Sequence, residues 1–341
     1  MKPSRSLRFV CTAPVLLVAG CSEWQSALHP YGENARTTLS LILSFAIICT
    51  IVWILVMLAL AGALLRRRSN AEGLRAPLET DPRRERGFTR MVGSAVAATV
   101  LILVGLTIAS FFAGKSNAAL TGKEMLTVRV TGHQWWWEVR YQDASPSHTI
   151  ISANEIHVPV GEPVKIELDS GDVIHSFWVP SLAGKRDLIP GRPSEITLLV
   201  DKPGVYRGQC AEFCGYQHAH MAITVVAQRP DAFDAWRKAQ LADAVPPAGA
   251  QQRRGQQVFL STGCVLCHTI RGTPAGGTSG PDLTHVASRQ GLAADTLPMT
   301  RGALGAWIAD PQSVKPGAKM PRVDLGPDDL NAVVAYVGSL K

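Results

Sequence analysis

Two long uncharged apolar stretches dominate the hydrophobic pattern of this chain. Residues 39–65 and residues 91–114 contain no Asp, Glu, Lys or Arg. Each exceeds the roughly 20 residues that cross the hydrocarbon core of a bilayer, and a pair of such runs disfavours buried helices of a soluble protein. The segment between them is rich in arginine, and short arginine-rich loops stay in the cytoplasm. The pattern therefore predicts a two-helix transmembrane hairpin with both chain ends on the outer side.

Residues 115–228 follow a different pattern, with short runs in which apolar and polar positions alternate. Such alternation is typical of half-buried strands and is clearest at residues 125–130 and 163–168. Two further short runs, 196–200 and 222–226, lie between Gly and Pro turns. Many short strands of this kind favour a sandwich or barrel. We therefore expect an all-β domain.

The last third of the chain changes character again. Residues 229–250 combine a short amphipathic helix with a Pro-rich and Ala-rich linker. Residues 251–341 show helical patterns near 252–260, 303–309 and 328–340, which predict a small all-helical domain. The predicted parts are a signal peptide, a lead with the membrane hairpin, the all-β domain, the linker and the helical domain, at residues 1–20, 21–114, 115–228, 229–250 and 251–341.

The first 20 residues resemble a bacterial lipoprotein signal peptide. Three basic residues precede an apolar run at residues 13–19, and the run ends in Leu-Val-Ala-Gly-Cys. This ending resembles a lipobox and predicts Cys21 as the lipidated first residue of the mature chain. Ordinary secretory cleavage near Gly20, or no cleavage, is the alternative.

A loop in the all-β region collects soft metal ligands. Cys210, Cys214, His218 and Met221 lie within twelve residues, and His175 lies upstream. Two bridging thiolates, two imidazoles and a weak thioether suit a pair of copper ions, whereas a single-copper electron-transfer site uses one cysteine. A disulfide between the cysteines or a zinc site is the alternative, and neither needs the methionine.

The loop matches C-x-E-x-C-x-x-x-H-x-x-M and resembles the copper A loop of haem-copper oxidase subunit II. The resemblance implies a cupredoxin fold and a dinuclear copper A centre, and its spacing selects His218 over His220. It also implies a magnesium ion on the Glu212 carboxylate at the junction with subunit I. The implied copper ligands are His175, Cys210, Glu212, Cys214, His218 and Met221.

Two further positions follow from the same resemblance. In the motif Gly-His-Gln-Trp, the tryptophan is the family's electron-entry residue, which here is Trp135. Simple core packing is the alternative, although it does not easily account for three adjacent tryptophans. Glu85, before the second apolar stretch, partly matches a family motif that opens a proton path in subunit I, with Phe88 in place of tryptophan. A solvated helix entrance is the alternative for Glu85.

The helical region contains a second redox motif. Cys264 and Cys267 stand two residues apart and His268 follows, which is the attachment pattern of c-type haem. The region resembles a class I cytochrome c, which implies His268 as one axial ligand and Met320, in Lys-Met-Pro, as the other. Met299 competes with Met320, and its alternative role is a loop or core side chain. His/Met ligation raises the haem potential into the range of an electron carrier.

Together these motifs resemble subunit II of a caa-type cytochrome c oxidase in a bacterial inner membrane. The resemblance implies that electrons pass from an external cytochrome c or a bc-type complex, through haem c and copper A, to subunit I. Oxygen reduction with proton translocation would take place on subunit I, and a quinol donor is disfavoured because the copper ligands are present. The copper and haem domains would face the periplasm. The net charge of +7 comes mostly from the arginine-rich loop and does not indicate a nucleic-acid partner. A copper-A nitric oxide reductase subunit and a standalone membrane-anchored electron shuttle are the alternatives.

Overall fold

The computed structural model describes residues 25–69, 82–118, 125–143, 145 and 148–341. The predicted signal peptide and the lipidation of Cys21 lie outside these described residues. Part of the arginine-rich loop also lies outside them. The described chain forms two long helices, a β-sandwich and a helical domain.

The two apolar stretches lie inside long helices. Helix α1 spans Glu33–Ser69 and helix α2 spans Pro82–Ala118. Both are longer than the charge-free stretches because the helices continue through the polar flanks. Large apolar side chains are exposed along both, and Trp53 is 62% and Leu101 72% exposed. A long helix that is apolar all round and not buried in protein fits a membrane span.

Hydrogen bonds and an ion pair join the start of α1 to the β-sandwich. The Tyr31 amide donates to the Ser181 carbonyl at 2.7 Å, and the Asn34 side-chain amide donates to the Thr197 carbonyl at 2.9 Å. Arg36 forms an ion pair with Asp201. The N-terminal end of the helical hairpin therefore lies against the β-sandwich.

The sandwich consists of two five-stranded sheets. In chain order the strands are β1 Leu126–His133, β2 Trp136–Tyr141, β3 Ile150–Ala153, β4 Glu155–Pro159, β5 Pro163–Ser170, β6 His175–Trp178, β7 Arg186–Leu188, β8 Ser194–Leu199, β9 Gly204–Cys210 and β10 Ala222–Gln228. One sheet has the order β3-β2-β1-β5-β8 and the other β4-β10-β9-β6-β7. The pairs β1–β5 and β4–β10 are parallel. The all-β prediction is confirmed, and the parallel pairs are a feature that the alternation did not predict.

Strand alternation builds the core between the sheets. In β5 every second residue is buried, so Val164, Ile166 and Leu168 face inward. From β2, Trp137 and Tyr141 enter the same core. Period-two alternation on a two-sided sheet produces this arrangement.

A helix in the predicted linker packs on the sandwich. Helix α3 spans Pro230–Gln240 and buries Phe233. The Trp236 ring of α3 stacks on His157 with centroids 4.0 Å apart and tilts against Tyr141 at 5.2 Å. This part of the linker therefore belongs physically to the β-sandwich surface.

The C-terminal domain is helical, with one small hairpin. Its elements are α4 Ala250–Ser261, α5 Cys264–Cys267, α6 Arg301–Ala309, α7 Pro311–Val314 and α8 Pro327–Val337, with β11 Gly291–Leu292 and β12 Leu297–Pro298. Helices α4 and α8 cross at Gly255, where an added Cβ would lie 2.0 Å from the Ala332 carbonyl oxygen. The prediction of a helical domain is confirmed, with the β11–β12 hairpin as an addition. The last helix, predicted over residues 328–340, ends at Val337.

Candidate copper and haem centres

Two neighbouring strands bring His175 and Cys210 together. Strands β6 and β9 pair antiparallel with Phe177 opposite Cys210, so His175 at the start of β6 lies beside the end of β9. After Cys210 the chain makes a tight loop and returns as β10, immediately after Met221. The Cys210 amide donates to the Met221 carbonyl at 2.9 Å, which closes the loop.

The loop places five soft donors around one point. The sulfurs of Cys210 and Cys214 are 3.8 Å apart, and both thiols are free. The Nδ1 atom of His175 lies 3.9 Å from the Cys210 sulfur, and the Nδ1 atom of His218 lies 3.6 Å from the Cys214 sulfur. The Met221 sulfur is 3.8 Å from that of Cys214. All except the partly exposed His218 are buried.

The electrostatics of the two thiols favour a bound cation. Contact with the Cys214 thiol lowers the pKa of Cys210 against the opposing effect of burial. The Cys210 sulfur and burial raise the pKa of Cys214. The two shifts are opposite in direction because each sulfur acts on the other, and a bound cation would stabilise the thiolate form of both. Two thiolates, two imidazoles and a thioether are the donors that copper prefers, so the set fits a copper centre.

Asp172 fixes the orientation of His175. The Nε2 atom of the His175 ring lies 2.8 Å from Oδ1 of Asp172, which leaves Nδ1 facing the sulfurs. Burial alone would raise the pKa of Asp172, but hydrogen bonds from His175 and from the amides of Gln134 and Val173 lower it. The carboxylate therefore stays charged and holds the ring in place. Gly132 makes room for the His175 ring, because an added Cβ at residue 132 would lie 2.8 Å from Cδ2 of His175.

Glu212 presents its carbonyl and its carboxylate in different directions. The carbonyl oxygen lies 3.2 Å from the Cys210 sulfur. The carboxylate is 44% exposed and lies 3.6 Å from Nζ of Lys185, which also contacts Asp187. The magnesium role of Glu212 stays a prediction.

The three tryptophans have different environments. Trp137 is fully buried, edge-on to His175 at 6.0 Å. Trp136 stacks on His133 at 4.8 Å. Trp135 is partly buried, and its indole N–H donates to the Cys214 carbonyl at 3.0 Å, beside the Gln134 side-chain amide at 2.7 Å. Trp135 therefore makes direct contact with the loop that carries the two thiols.

The haem-attachment motif lies on a single helical turn. Cys264 and Cys267 are free, partly exposed thiols at the two ends of α5. The Nδ1 atom of His268 lies 2.7 Å from the Pro281 carbonyl, so Nδ1–H donates and Nε2 remains available as a ligand. Burial lowers the pKa of His268, which keeps the ring neutral. The donor set fits a covalently attached haem.

Gln312 shapes the Met320 loop, whereas Met299 lies against the helical core. The Gln312 side-chain amide donates to the carbonyls of Ala318 and Met320, at 2.8 and 3.0 Å, and its oxygen accepts from the Gly317 amide at 2.9 Å. Met299 packs on the core formed by the helices, in keeping with its alternative role as a core side chain. The choice of Met320 as haem ligand stays a prediction.

The Met320 loop touches Trp135. The backbone of Gly317 packs on the indole, because an added Cβ would lie 3.5 Å from Cζ3 and Cη2 of Trp135. The residue also has φ +86°, which favours glycine. The side chain of Trp135 thus contacts the thiol loop on one side and the loop carrying Met320 on the other.

Glu85 lies far from these groups in the sequence. It is exposed in the first turn of α2, next to the arginine-rich segment. The structure does not test its predicted role in a proton path.

Comparisons with known proteins now decide the family. A model of the periplasmic domain of cytochrome c oxidase subunit II matches residues 126–228, and a cytochrome c model matches residues 252–341. Cytochrome c oxidase subunit 2 of Alkalihalophilus pseudofirmus is 33% identical over 329 residues, covering 96% of this chain and 94% of the relative. The chain belongs to the cytochrome c oxidase subunit 2 family.

A second relative agrees with this subunit 2 assignment, and one solved structure is similar over part of the chain. Cytochrome c oxidase subunit 2 of Bacillus sp. (strain PS3) is 30% identical over 345 residues, with coverages of 96% and 94%. The periplasmic domain of oxidase subunit II from Bradyrhizobium japonicum is 31% identical, covers 36% of this chain and 96% of that structure, and has a TM-score of 0.33.

The subunit 2 assignment confirms the family predicted from the sequence, including the fused cytochrome c domain of the caa type. It also confirms the fold class: two apolar helices, a cupredoxin domain and a class I cytochrome c domain. The protein is a membrane-anchored oxidase subunit with periplasmic domains, it works with other oxidase subunits, and its domains imply copper and haem c.

Some functional contacts were missed from the sequence. Asp172 stands three residues before His175, and this short spacing was the available signal for a hydrogen bond between the two side chains. Pro281 acts through its backbone carbonyl, which no sequence pattern singles out. Gln312 gave no sequence signal either, because its partners are backbone groups that the fold brings together.

Proposed function

We propose that this chain accepts electrons from a reduced donor and delivers them to subunit I of an aerobic haem-copper oxidase, with haem c and copper A as the carriers. The convergence of five soft donors within 3.6–3.9 Å neighbour distances carries the proposal. On subunit I the electrons reduce oxygen to water, coupled to proton translocation. When bound, the two copper ions and the haem supply the one-electron chemistry.

The chain's own residues hold the proposed copper centre. Cys210, Cys214, His175, His218, Met221 and the carbonyl of Glu212 would hold the copper ions, which would exchange single electrons there. Asp172 keeps the His175 ring turned towards the sulfurs. The burial of Cys210, Cys214, His175 and Met221 would limit the access of water to the bound ions.

Cys264 and Cys267 would attach the haem covalently, and His268 and Met320 would bind its iron. Pro281 and Gln312 hold those ligands through backbone and side-chain hydrogen bonds. The division into signal peptide, hairpin, copper domain, linker and haem domain is proposed with the boundaries given above.

Trp135 is proposed as the residue through which electrons reach the copper loop. Two contacts support this role: its N–H bond to the Cys214 carbonyl, and its packing on Gly317. A polarizable ring that bridges the two loops gives a short, continuous path. The Glu212 carboxylate for magnesium and Glu85 for a proton path remain lesser parts of the proposal.

The proposed setting is a bacterial inner membrane crossed twice, with both termini and the two redox domains on the periplasmic side. The arginine-rich connection and the attachment of the α1 N-terminus to the β-sandwich support this orientation. Lipidation of Cys21 would add a further anchor. The donor is an external cytochrome c or a bc-type complex.

Purification of the complex tests the function. The expected result is copper and haem c on this chain, a mixed-valence dicopper paramagnetic signal, and oxygen consumption with a reduced cytochrome c. Consumption of nitric oxide without oxygen consumption would identify the reductase alternative. Purification of the chain alone, with both cofactors and no partner subunit, would identify a standalone shuttle.

A further inference from the structure

The haem domain packs directly against the copper domain. The contacts between the two domains surround Trp135 and include a lysine, a hairpin and the Met320 loop. The lysine, Lys315, is 3% exposed. Lys315 forms no ion pair with a carboxylate of the described residues, and this needs an explanation because burial of an unpaired charge is costly.

Lys315 is held by three backbone carbonyls from three segments. Its Nζ atom donates to Trp135 at 2.7 Å, to His220 at 2.7 Å and to Ala293 at 2.9 Å. Two of these carbonyls belong to the copper domain and one to the haem domain. Burial lowers the pKa of Lys315 to about 7. The three carbonyls favour the charged amine, because only the charged form has three N–H donors, one for each carbonyl.

Further polar contacts surround this lysine. The Gln217 side-chain amide donates to the Pro316 carbonyl at 2.8 Å. The Thr224 hydroxyl donates to the Asp295 carboxylate at 2.5 Å. The Gln290 amide donates to the Glu155 carboxylate at 2.8 Å. Each bond joins the haem domain to the buried part of the copper domain, so the interface is specific and largely shielded from salt.

The hairpin between β11 and β12 has an unusual backbone at this interface. Ala293, Ala294 and Asp295 all have φ between +52° and +57°, although none is glycine. This left-handed conformation is strained for a residue that carries a Cβ. The loop places the Ala293 carbonyl on Lys315 and the Asp295 carboxylate on Thr224. The strain is therefore located where the hairpin meets the copper domain.

We propose that residues 315–317 and the hairpin loop 293–296 form a docking element, with Lys315 as its positioning residue, that holds the Met320 loop against Trp135. The inference deepens the proposed function and rests on it for its electron-transfer part. The two domains then form a preassembled pair, not tethered bodies that must meet for each electron.

Charged side chains at the exposed edge of this interface contribute less to docking than the buried contacts do. Lys319 lies 3.7 Å from Asp172, but its side chain is 68% exposed. Exposed pairs of this kind contribute little and are screened by salt. The buried contacts of Lys315 carry the docking, so the first variants that test it change Lys315.

Hydrogen exchange on the full-length chain in the purified complex measures docking without using oxidase activity. Lys315→Leu removes all three donors without adding a metal-binding side chain, and Lys315→Gln keeps part of them. Lys238→Leu, at an exposed lysine of α3, is the matched control. We expect exchange at the Gln290 amide to rise about tenfold or more in Lys315→Leu, because unpaired buried carbonyls shift a docking equilibrium on that scale. Lys315→Gln should lie between, and Lys238→Leu should match the wild type.

Electron kinetics provide the second measurement. The internal step between the two domains should slow in Lys315→Leu in proportion to the loss of docking, while the haem absorption spectrum and the copper paramagnetic signal remain unchanged. Electrons delivered directly to the copper domain by a photoexcited ruthenium complex should still reach oxygen. A wild-type complex without copper or haem would contradict the proposed function, and the exchange result would still report on docking.

Unchanged exchange at Gln290 together with an unchanged internal rate in Lys315→Leu would overturn the proposal. If that variant does not mature, Thr224→Val removes the buried hydrogen bond to Asp295 with little change of volume. Exchange at Gln290 should then rise by a smaller factor, and wild-type exchange in Thr224→Val would equally overturn the docking element.

Discussion

The crossing of α4 and α8 makes Gly255→Ala a sharp test of the haem domain. A Cβ on residue 255 would lie 2.0 Å from the Ala332 carbonyl oxygen, 2.5 Å from its carbonyl carbon and 2.7 Å from Cβ of Tyr336. Two of these are backbone atoms of α8, so a side-chain rotation cannot relieve the clash. The two helices must separate along their buried contact.

The magnitude follows from the cost of overpacking. Forcing extra atoms into a packed core costs about 1–3 kcal/mol, and a domain of this size loses about 4–8 °C in Tm per kcal/mol. We expect the haem domain to unfold roughly 5–20 °C earlier in Gly255→Ala, by combining these two values. Gly302→Ala is the matched control, because no atom lies within 4 Å of an added Cβ at that helical position. It should be neutral or stabilising by up to about 1 kcal/mol.

Thermal unfolding of the full-length chain, followed by haem absorption, measures both variants. The copper paramagnetic signal of Gly255→Ala should remain at temperatures where its haem domain has already unfolded, since the copper ligands lie in a separate core. A Gly255→Ala Tm equal to that of the wild type would refute the assigned helix crossing.

Three further predictions concern the two centres. Cys214→Ser should abolish the dicopper paramagnetic signal but leave covalent haem, and a retained signal would contradict the ligand assignment. Met320→Ala should remove the far-red iron–sulfur absorption band and lower the haem potential, whereas Met299→Ala should mainly destabilise the domain; the reverse pattern would exchange their roles. Asp172→Ala should weaken copper binding about 10–100-fold by freeing the His175 ring, and a chelator competition that shows wild-type affinity would exclude this role.

Local patterns carried much of the fold prediction. The charge-free runs mark the membrane helices, and alternation marks β5, where Val164, Ile166 and Leu168 point inward. The parallel β1–β5 pairing could not be predicted in the same way, because strand order depends on contacts distant in sequence. The three tryptophans show the same limit. Alternation accounts for the burial of Trp137, but Trp135 precedes β2 and its contacts depend on the copper loop.

The candidate site was predictable where chemistry is concentrated in short motifs. Residues 210–221 contain most of the soft donors, and the resemblance to the subunit II loop implies His218 rather than His220. The joining of His175 to this loop required the β6–β9 pairing, which only the fold shows. Lys315 was not predictable, because its three acceptors are backbone carbonyls, which every sequence has.

The central claim is that electrons pass between the two domains at Trp135. Flash-induced kinetics of the purified complex, at low and high salt, test it most directly in the wild type and in Trp135→Ala. The buried contacts predict an internal rate nearly independent of ionic strength, since screening over about 10 Å at 0.1 M salt acts on exposed charges. They also predict a severe slowing in Trp135→Ala with both cofactor spectra retained. An unchanged rate in that variant, or a steep salt dependence in the wild type, would contradict the account.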